Sequence, residues 1–481
     1  MSDIDAIQQG LEKALQAAAQ ADDRELSGRV RDEGRRLVFL LIGLMRTTRI
    51  HDTENAAFEA PSREFANVLR ALHELLGAVH VICVEDQIYV NDIRLRVKAA
   101  EQHLVDALVK ELARHDVGGM SFHTVLTAEA AKQMAFTLSR PAADSAPRTA
   151  LATQFARFAD IELQGTYHFR IGKEPEKVKK DFDDTMRRAA LVVREAVENL
   201  AANRVPNPLP IRRAVIDMVD SIEGNEGRAA AANMRKVAEN YGDQHLLAVS
   251  TFSLMIGEAL GLGEAALSDL GVAAMMHDVG YTQVPDKTGH ATAGARMLLK
   301  QKGFHEAKLR RILLMLDHHR GYQRDAAGRL PSLFSRIVHI ADDYDSLTAK
   351  RPGQLPPVSP AAALALMWSG RSTQYDPDLL ALFIQTMGRF PAGSMLALND
   401  GRWAVSVSAG RDREHFATPV VCIMRDADGI PLSGQERIDL FDTREELWAQ
   451  RLLDPVAEQL DPEMMLNQVF GSPLRSASPV S

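Results

Sequence analysis

The stretch AAMMHDVGY, residues 273–281, places a histidine and an aspartate side by side at the end of an apolar segment. Residues 264–276 carry apolar side chains with the 3.6-residue period of a helix, so they predict a helix that buries one face. Buried imidazole and carboxylate groups need a partner. A divalent metal ion suits both groups, and His277 and Asp278 are therefore candidate metal ligands.

The segments around this pair are helical in pattern from about residue 228 to 390. Their apolar stripes predict an all-α bundle, which we assign to a domain over 226–390. The predicted helices cover 243–261, 264–276, 291–301, 304–317, 332–348, 359–368 and 377–387.

Further histidines and aspartates fall on these helices or at their ends, without a cysteine among them: His245, His290, His318, His319, Asp342 and Asp345. Each has an ordinary structural alternative, as a helix cap, a core residue or a solvated surface group. Their combination on apolar helices favours a site for Mn or Fe. Two such ions about 3.5–4 Å apart clamp a phosphoryl group for in-line attack. His305 and His339 fall outside the pattern and are interpreted as structural.

With these residues in view, the chain resembles the HD superfamily of metal-dependent phosphohydrolases, and within it the HD-GYP branch. The matching signatures are a lone His245, HDVGY at 277–281, His290, DHHRGY at 317–322 and RIVHIADDYDSLTAKRP at 336–352. The resemblance covers roughly residues 210–440.

The resemblance implies two divalent metal ions, Fe or Mn, and seven ligands. One ion would be bound by His245, His277, Asp278 and Asp342, and the other by His290, His318 and His319 with Asp278 as the bridge. It also implies catalytic roles for Asp278, Asp345 and the position of Tyr281, and a substrate contact for Arg351. Arg324, in the loop after the histidine pair, is a second candidate for substrate binding from its position alone.

The chain also departs from the branch at two places. Tyr281 stands where the branch has a lysine, and tyrosine carries no charge at pH 7. The histidine pair continues as RGYQRDAAGRLPSLF and lacks the GYP loop. Two functions follow from the match and its departures. The first is a slow phosphodiesterase or sensor of cyclic di-GMP, or of another phosphate ester, in bacterial signalling. The second is a catalytically inactive HD module that binds a nucleotide or a protein.

The remaining sequence predicts a multidomain chain. Residues 1–145 mix helical patterns with β-rich pieces such as HVICV, which predicts an N-terminal α+β domain for sensing or docking. Residues 146–225 contain a linker and two helices, over 176–222, which either pair across a homodimer axis or pack on the bundle. Residues 391–470 predict a small antiparallel β unit with an amphipathic helix at 443–460, and 471–481 a disordered tail.

Bulk composition excludes several classes of protein. The net charge of -8, with scattered basic residues, argues against nucleic-acid binding. Two distant cysteines indicate a reducing compartment and no thiolate metal site. The longest apolar run, LVFLLIGLM, is far below the roughly 20 residues of a membrane helix, and the N-terminus is polar. We therefore expect a cytoplasmic protein without a membrane segment.

Overall fold

The computed structural model describes residues 28–52, 54–84, 87–91, 93–95, 97, 101–165, 181–235, 240–285, 289–300, 306–350, 356–410, 412–432 and 436–471. Within these residues the protein is mostly helical, with two five-stranded antiparallel sheets. The chain divides into two compact units. One comprises Met1–Pro175, Ala202–Leu209 and Leu298–Leu309, and the other comprises the remaining residues.

The first unit combines helices with one sheet, as the α+β prediction requires. Its helices are α1 (28–47), α2 (Glu59–Leu76), α3 (Gln102–Arg114), α4 (Ala128–Leu138) and α5 (Pro147–Phe155). Its strands are β1 (Val79–Val84), β2 (Gln87–Val90), β3 (Ile93–Arg94), β4 (Gly119–Phe122) and β5 (Ile161–Gln164), in the order β3-β2-β1-β4-β5. Strand β5 lies beyond residue 145, and the predicted domain limits stay a prediction.

Strand β1 is buried along its whole length because both of its faces are covered. Successive side chains of a strand point to opposite faces. Val81 and Cys83 belong to the core shared with the helices, whereas Ile82 packs with Tyr89 and Leu209. This double burial explains why HVICV is apolar without alternation.

The second unit contains a helical bundle. Among the described residues, ten helices lie wholly or mostly in this unit. These helices are α6 (Phe182–Ala201), α7 (Pro208–Ile222), α8 (Glu226–Ala230), α9 (Tyr241–Ala259), α10 (Glu264–Met276), α11 (His290–Lys300), α12 (Glu306–Asp317), α13 (Leu333–Thr348), α14 (Pro360–Ser369) and α15 (Pro377–Met387). Helices α9 to α15 correspond to the seven segments predicted between 243 and 387, and their ends agree within two residues.

Helix α9 lies at the centre of this bundle and is buried on nearly every side. An aromatic cluster joins it to α13 and α15. The ring of Phe252 lies 5.1 Å from that of Tyr344 and 6.2 Å from that of Phe383, and the latter two are 5.2 Å apart. These edge-to-face contacts fix the relative positions of three helices, two of which carry candidate ligands.

Helices α6 and α7 pack on the bundle within the chain. Helix α6 contacts α9 and α10. The Val215 side chain of α7 lies 2.5 Å from the position that a Cβ on Gly271 of α10 would occupy, so a larger residue there would force Val215 or the helix to move. The predicted packing on the bundle is therefore confirmed, while a homodimer through these helices stays a prediction.

The second sheet follows the bundle, where the alternating pattern predicts a β unit. Its strands are β6 (Met395–Leu398), β7 (Trp403–Ser406), β8 (Val420–Arg425), β9 (Arg437–Asp439) and β10 (Ala449–Leu452), in the order β10-β6-β7-β8-β9. Gly401, at φ +91°, makes the turn between β6 and β7, because this backbone region favours glycine.

The predicted helix at 443–460 is wrong. The segment contains turns and strand β10, which pairs antiparallel with β6, and the terminal helix is α16 (Pro462–Phe470). The Asn399 side chain accepts a hydrogen bond from the Trp448 amide and donates one to the Glu446 carbonyl. Leu447 and Leu453 are buried on either side of the strand. Pairing with β6 therefore overrides the local preference for helix.

Other predictions concern cysteines, membrane segments and the tail. Cys83 and Cys422 are buried free thiols. None of the described helices combines the length and apolarity needed to span a bilayer. Residues 472–481 of the predicted tail, and His305, lie outside the described residues.

Candidate metal centre

The structure brings the seven predicted ligand residues together from three helices and from the residues that follow two others. They form two groups, and within each group the candidate ligand atoms lie within 4.8 Å of one another. One group contains His245, His277 and Asp342, and the other contains Asp278, His290, His318 and His319. His245 lies on α9, His277 and Asp278 follow α10, His290 begins α11, His318 and His319 follow α12, and Asp342 lies on α13.

The first group surrounds one oxygen of Asp278. His245 Nε2 is 3.4 Å from Asp278 Oδ2 and 3.4 Å from Asp342 Oδ1. His277 Nε2 is 3.5 Å from the same Asp278 Oδ2. Two imidazoles and two carboxylates therefore face a common point.

The second group surrounds the other oxygen of Asp278. His290 Nε2 lies 3.2 Å, and His318 Nε2 3.4 Å, from Asp278 Oδ1. The three imidazoles also converge, because His290 Nε2 is 3.3 Å from His318 Nε2 and 3.2 Å from His319 Nε2. Asp278 thus presents one oxygen to each group, which is the geometry of a bridging carboxylate.

The unpaired atoms in this cluster fit metal ions better than hydrogen bonds. His277 Nε2 and Asp278 Oδ1 are buried, and neither has a hydrogen-bond partner among the described residues. A buried polar atom without a partner is costly. Metal–ligand bonds of about 2.0–2.2 Å place adjacent donors roughly 3 Å apart, close to the separations here. The donor set therefore suits two divalent cations.

Two imidazoles are oriented by the ends of the helices that carry them. The Nδ1–H of His277 donates to the Ala274 carbonyl at 2.7 Å, and that of His318 donates to the Met315 carbonyl at 2.8 Å. The last carbonyls of a helix lack intrahelical partners, so they are available to such residues. Each bond leaves Nε2 as the atom that faces the cluster.

Asp345 orients a third imidazole and does not face the cluster centre. It is fully buried, and its Oδ2 accepts a hydrogen bond from His245 Nδ1 at 2.6 Å. This geometry indicates a positioning residue, whereas the sequence suggests a catalytic one. The carboxylate–histidine–metal arrangement is a common way to orient a ligand.

His339 supports the histidine pair, a role that the sequence analysis missed. Its Nδ1–H donates to the backbone carbonyl of His318 at 2.6 Å. His339 precedes Asp342 by three residues, and residues three apart on a helix share a face. That spacing is the sequence feature that could have identified His339 as part of the site.

The electrostatics of the cluster set its protonation before any metal binds. Burial alone raises the pKa of Asp278, but the adjacent His277 and other imidazoles hold it well below its usual value. Burial alone lowers the pKa of His245, yet carboxylates, chiefly Asp345, raise it to about 10. Burial and a neighbouring imidazolium lower the pKa of His319 to about 4. A metal must displace the His245 proton, so its affinity should rise with pH.

The cluster opens to solvent on the side of His319. The side chain of His319 is 44% exposed, whereas those of His277, His290 and His318 are 0% exposed. Asp278 is 14% exposed. A substrate would therefore approach from the His319 side.

Gly280 holds α11 against the HD pair, and we expect Gly280→Ala to disrupt the second ligand group. A Cβ at this position would lie 1.8 Å from the His290 carbonyl oxygen and 2.7 Å from the Gly294 nitrogen. The start of α11 must move, at a cost of about 1–3 kcal/mol. Elemental analysis should show one metal per chain instead of two, and thermal unfolding should occur at lower temperature.

Gly43→Ala on α1 is the matched control, because nothing lies within 4 Å of its Cβ position. It should retain the wild-type metal content. Wild-type metal content and stability in Gly280→Ala would contradict the packing role assigned to Gly280.

The other predicted site residues are Tyr281, Arg324 and Arg351. The Tyr281 ring stacks on that of His290, with centroids 4.1 Å apart and planes at 6°. Arg324 is exposed and donates to the Gly328 carbonyl within its own loop at 2.6 Å. Arg351 lies outside the described residues.

Comparisons with known proteins find a matching family model and similar sequences. Residues 242–347 match the HD domain family model. A cyclic di-GMP phosphodiesterase of Pseudomonas aeruginosa is 28% identical over 216 residues, which cover 39% of this chain and 50% of the relative. The cyclic di-GMP phosphodiesterase response regulator RpfG of Xanthomonas campestris is 25% identical over 190 residues, covering 35% of this chain and 50% of the relative.

Another relative is named for a different cyclic dinucleotide. The 3'3'-cGAMP-specific phosphodiesterase 3 of Vibrio cholerae is 28% identical over 172 residues, covering 31% of this chain and 36% of the relative. The solved structure of an HDG"Y"P protein from Bdellovibrio bacteriovorus is 15% identical, with a TM-score of 0.36 over 64% of this chain and 94% of that one.

The chain spans about half the length of the first curated relatives that it matches. All seven candidate ligands fall between residues 245 and 342, within the stretch that matches the HD domain family model. Residues 242–347 thus match the HD domain family model, and part of the chain is similar to cyclic dinucleotide phosphodiesterases.

Proposed function

We propose that the HD domain of this chain is a metal-dependent phosphohydrolase that acts on a cyclic dinucleotide. The position of Asp278 carries the proposal, because its two oxygens face the two separate ligand groups. A carboxylate so placed would bridge two cations. Two-metal sites are a recurrent solution for phosphoryl transfer.

The residues of each group would hold one divalent ion, Fe or Mn. Two such ions supply positive charge that stabilises the negative charge of a phosphoryl group in the transition state. The chain itself orients the donors, since Asp345 and two helix-end carbonyls each bind an imidazole Nδ1–H. Preorganised donors avoid reorganisation during the reaction, which is where much of the rate enhancement arises.

The substrate class rests on the relatives. Their names specify cyclic di-GMP and 3'3'-cGAMP, which are both cyclic dinucleotides. The open side at His319 supports access of such a phosphodiester to the cluster. Substrate contacts by Arg351 and Arg324, and a sensing or docking role for residues 1–145, belong to the same proposal.

Metal analysis with a hydrolysis assay tests this function. The full chain, purified without oxygen or chelator, should contain about two Fe or Mn ions. It should convert cyclic di-GMP or 3'3'-cGAMP to linear products that chromatography resolves. Protein that contains no metal and takes up neither Mn nor Fe on titration would exclude this function.

A second candidate function is a non-catalytic HD module that binds a nucleotide. Tyr281 favours it, because a neutral ring occupies the position of the lysine found in the resembling branch and stacks on His290. Such a module would bind two metals and cyclic di-GMP without hydrolysing it. Calorimetric binding of cyclic di-GMP, with no linear product, would distinguish it from the enzyme.

Tyr281→Lys should raise the rate of cyclic di-GMP hydrolysis. A cation near a phosphoryl oxygen stabilises transition-state charge, and loss of one such donor costs about 100–1,000-fold in other enzymes. We expect a gain of up to about 100-fold, measured as the initial rate of linear product formation. Tyr281→Phe is the matched control, since it retains the stacked ring and should not gain activity. An unchanged rate in Tyr281→Lys with full metal content would contradict the role assigned to this position.

A further inference from the structure

Helices α14 and α15 form the walls of an apolar cleft separate from the metal centre. The cleft has a volume of about 670 Å³. Leu364 and Trp368 of α14, Ile384 of α15 and Phe416 from the β7–β8 connection line it. Small-molecule sites typically measure about 300–1,000 Å³ and are mainly apolar. The cleft therefore has the size and lining of a site for a small molecule.

The cleft exists because small side chains stand where the two helices face each other. Ala361 and Ala365, one turn apart on α14, and Ala381 on α15 all line it. Larger side chains at these positions would close the space. Trp368, 39% exposed, leaves much of its ring accessible at the same wall.

Two arginines at the cleft supply positive charge. Arg389 and Arg413 line it and are exposed, and neither forms an ion pair with a carboxylate of the described residues. The carboxylate next in sequence, Asp412, instead accepts hydrogen bonds from the amides of Glu414 and His415 at 2.9 Å each. The Arg389 guanidinium lies over the Phe390 ring, 5.2 Å from its centre, a contact with the ring face that leaves N–H groups for an anion.

The backbone holds these arginines in place. Gly388, at φ +77°, ends α15 and directs the chain so that the Arg389 amide donates to the Phe416 carbonyl at 2.8 Å. The Gly410 amide donates to the Thr386 carbonyl at 2.8 Å. A Cβ on Gly410 would lie 2.1 Å from the Gln385 carbonyl oxygen, so this attachment requires glycine. The connection that carries Arg413 is thus attached to the end of α15.

We propose that this cleft binds an amphipathic carboxylate. The apolar chain occupies the space between α14 and α15, and the carboxylate contacts Arg389 and Arg413. Guanidinium groups bind carboxylates through charge-assisted hydrogen bonds, which are stronger than neutral ones. A cleft of this volume suits a single acyl chain rather than a globular partner.

Tryptophan fluorescence of the full chain tests the proposal, with ω-bromoundecanoate as the probe. Bromine quenches a nearby indole, and Trp368 is the tryptophan at the cleft. We expect saturable quenching in the wild-type chain and its loss in Trp368→Phe. The variant with both Arg389→Gln and Arg413→Gln should bind at least about tenfold more weakly, since a hydrogen bond to a charged group contributes about 1.5–3 kcal/mol.

Two further variants separate the cleft from general surface effects. Ala381→Phe fills the space on an exposed helix face and should abolish the quenching. Arg296→Gln changes an exposed arginine outside the cleft and should bind the probe as the wild type does. Thermal unfolding of each variant checks that the fold is retained.

Three outcomes would overturn the proposal. One is an absence of saturable quenching by ω-bromoundecanoate. Another is equal affinity for ω-bromoundecanol, which would show that the arginines do not recognise a carboxylate. The third is binding that occurs only on vesicles of anionic lipid, which would assign the cleft to a membrane surface.

Discussion

Asp278→Ala should remove both metal ions of the proposed centre and reduce the proposed hydrolysis of cyclic di-GMP by more than about 1,000-fold. Each oxygen of Asp278 lies within 3.5 Å of two imidazoles, one oxygen in each ligand group, whereas Asp342 approaches the second group only through His319, at 3.6 Å. Its loss takes a donor from each group and leaves the imidazoles of both groups facing one another without a shared anion. Elemental analysis and product chromatography measure the two effects.

The matched control is Asp269→Ala on α10, the helix that precedes Asp278. In the described part of the chain, Asp269 forms two ion pairs away from the metal centre, with Arg310 at 3.3 Å and Arg212 at 3.9 Å. Exposed pairs contribute about 0–1 kcal/mol, so this variant should keep its metal and its activity. Two metal ions per chain in Asp278→Ala would contradict the bridging role.

The same experiment separates catalysis from metal binding. If wild-type protein contains two metals and does not hydrolyse the substrate, while Asp278→Ala loses the metals, then the metal centre stands and the enzymatic function fails. A chelator should then lower the thermal midpoint of the wild type, because a ligand that binds only the native state stabilises it. It should leave the midpoint of Asp278→Ala unchanged.

Asp183→Ala should destabilise the second unit by about 3–5 kcal/mol, because it leaves Arg235 buried without its carboxylate. The Arg235 side chain is 1% exposed and forms a bidentate pair with Asp183, with N–O distances of 2.6 and 2.8 Å. Arg228 binds the same carboxylate at 3.1 Å. Both guanidinium groups lie over the ring of Phe470, at 5.5 Å for Arg228 and 5.3 Å for Arg235.

This cluster joins distant parts of the chain. Arg235 donates to the Gly471 carbonyl at 2.8 Å, and Arg228 donates to the Phe470 carbonyl at 2.8 Å. The end of α16 is thereby attached to α6 and α8. Loss of Asp183 should weaken this attachment. Urea unfolding followed by circular dichroism measures the resulting decrease in the free energy of unfolding.

Two variants test whether the buried ion pair explains the loss of stability in Asp183→Ala. Asp184→Ala removes the adjacent carboxylate, which pairs with Arg187 at the surface, and should change stability by less than about 1 kcal/mol. The double variant Asp183→Leu with Arg235→Met replaces the buried pair by apolar groups. It should regain much of the stability that Asp183→Ala loses. A small loss of stability in Asp183→Ala alone would contradict the role assigned to the buried pair of Asp183 and Arg235.

The helical bundle could be predicted because its helices are long and strongly periodic. Helices α9 to α15 begin and end close to their predicted limits, since apolar stripes reflect burial along each helix. The predicted helix at 443–460 failed because a short segment can bury Leu447 and Leu453 in either form. Hydrogen bonding to β6, about 50 residues away in sequence, stabilises this segment as a strand.

The sequence predicted which residues form the candidate site, and the structure adds how they contact one another. The residue types and their order indicated seven ligands, and the structure brings these side chains together. The sequence suggested catalysis for Asp345, which lies behind His245, and a general structural role for His339, which binds the His318 carbonyl. These partners are 100 and 21 residues apart, so helix packing alone sets their contact.

The sequence by itself determined the chemistry available to this protein: imidazole and carboxylate groups on apolar helices, with a tyrosine in place of a cation. It did so because side-chain chemistry and helical periodicity are local properties. Only the tertiary structure decided which oxygen of Asp278 faces which group, which imidazole nitrogen faces the cluster, and where α14 and α15 leave a cleft. Those features depend on ångström-scale distances between helices, which arise from the packing of the whole bundle.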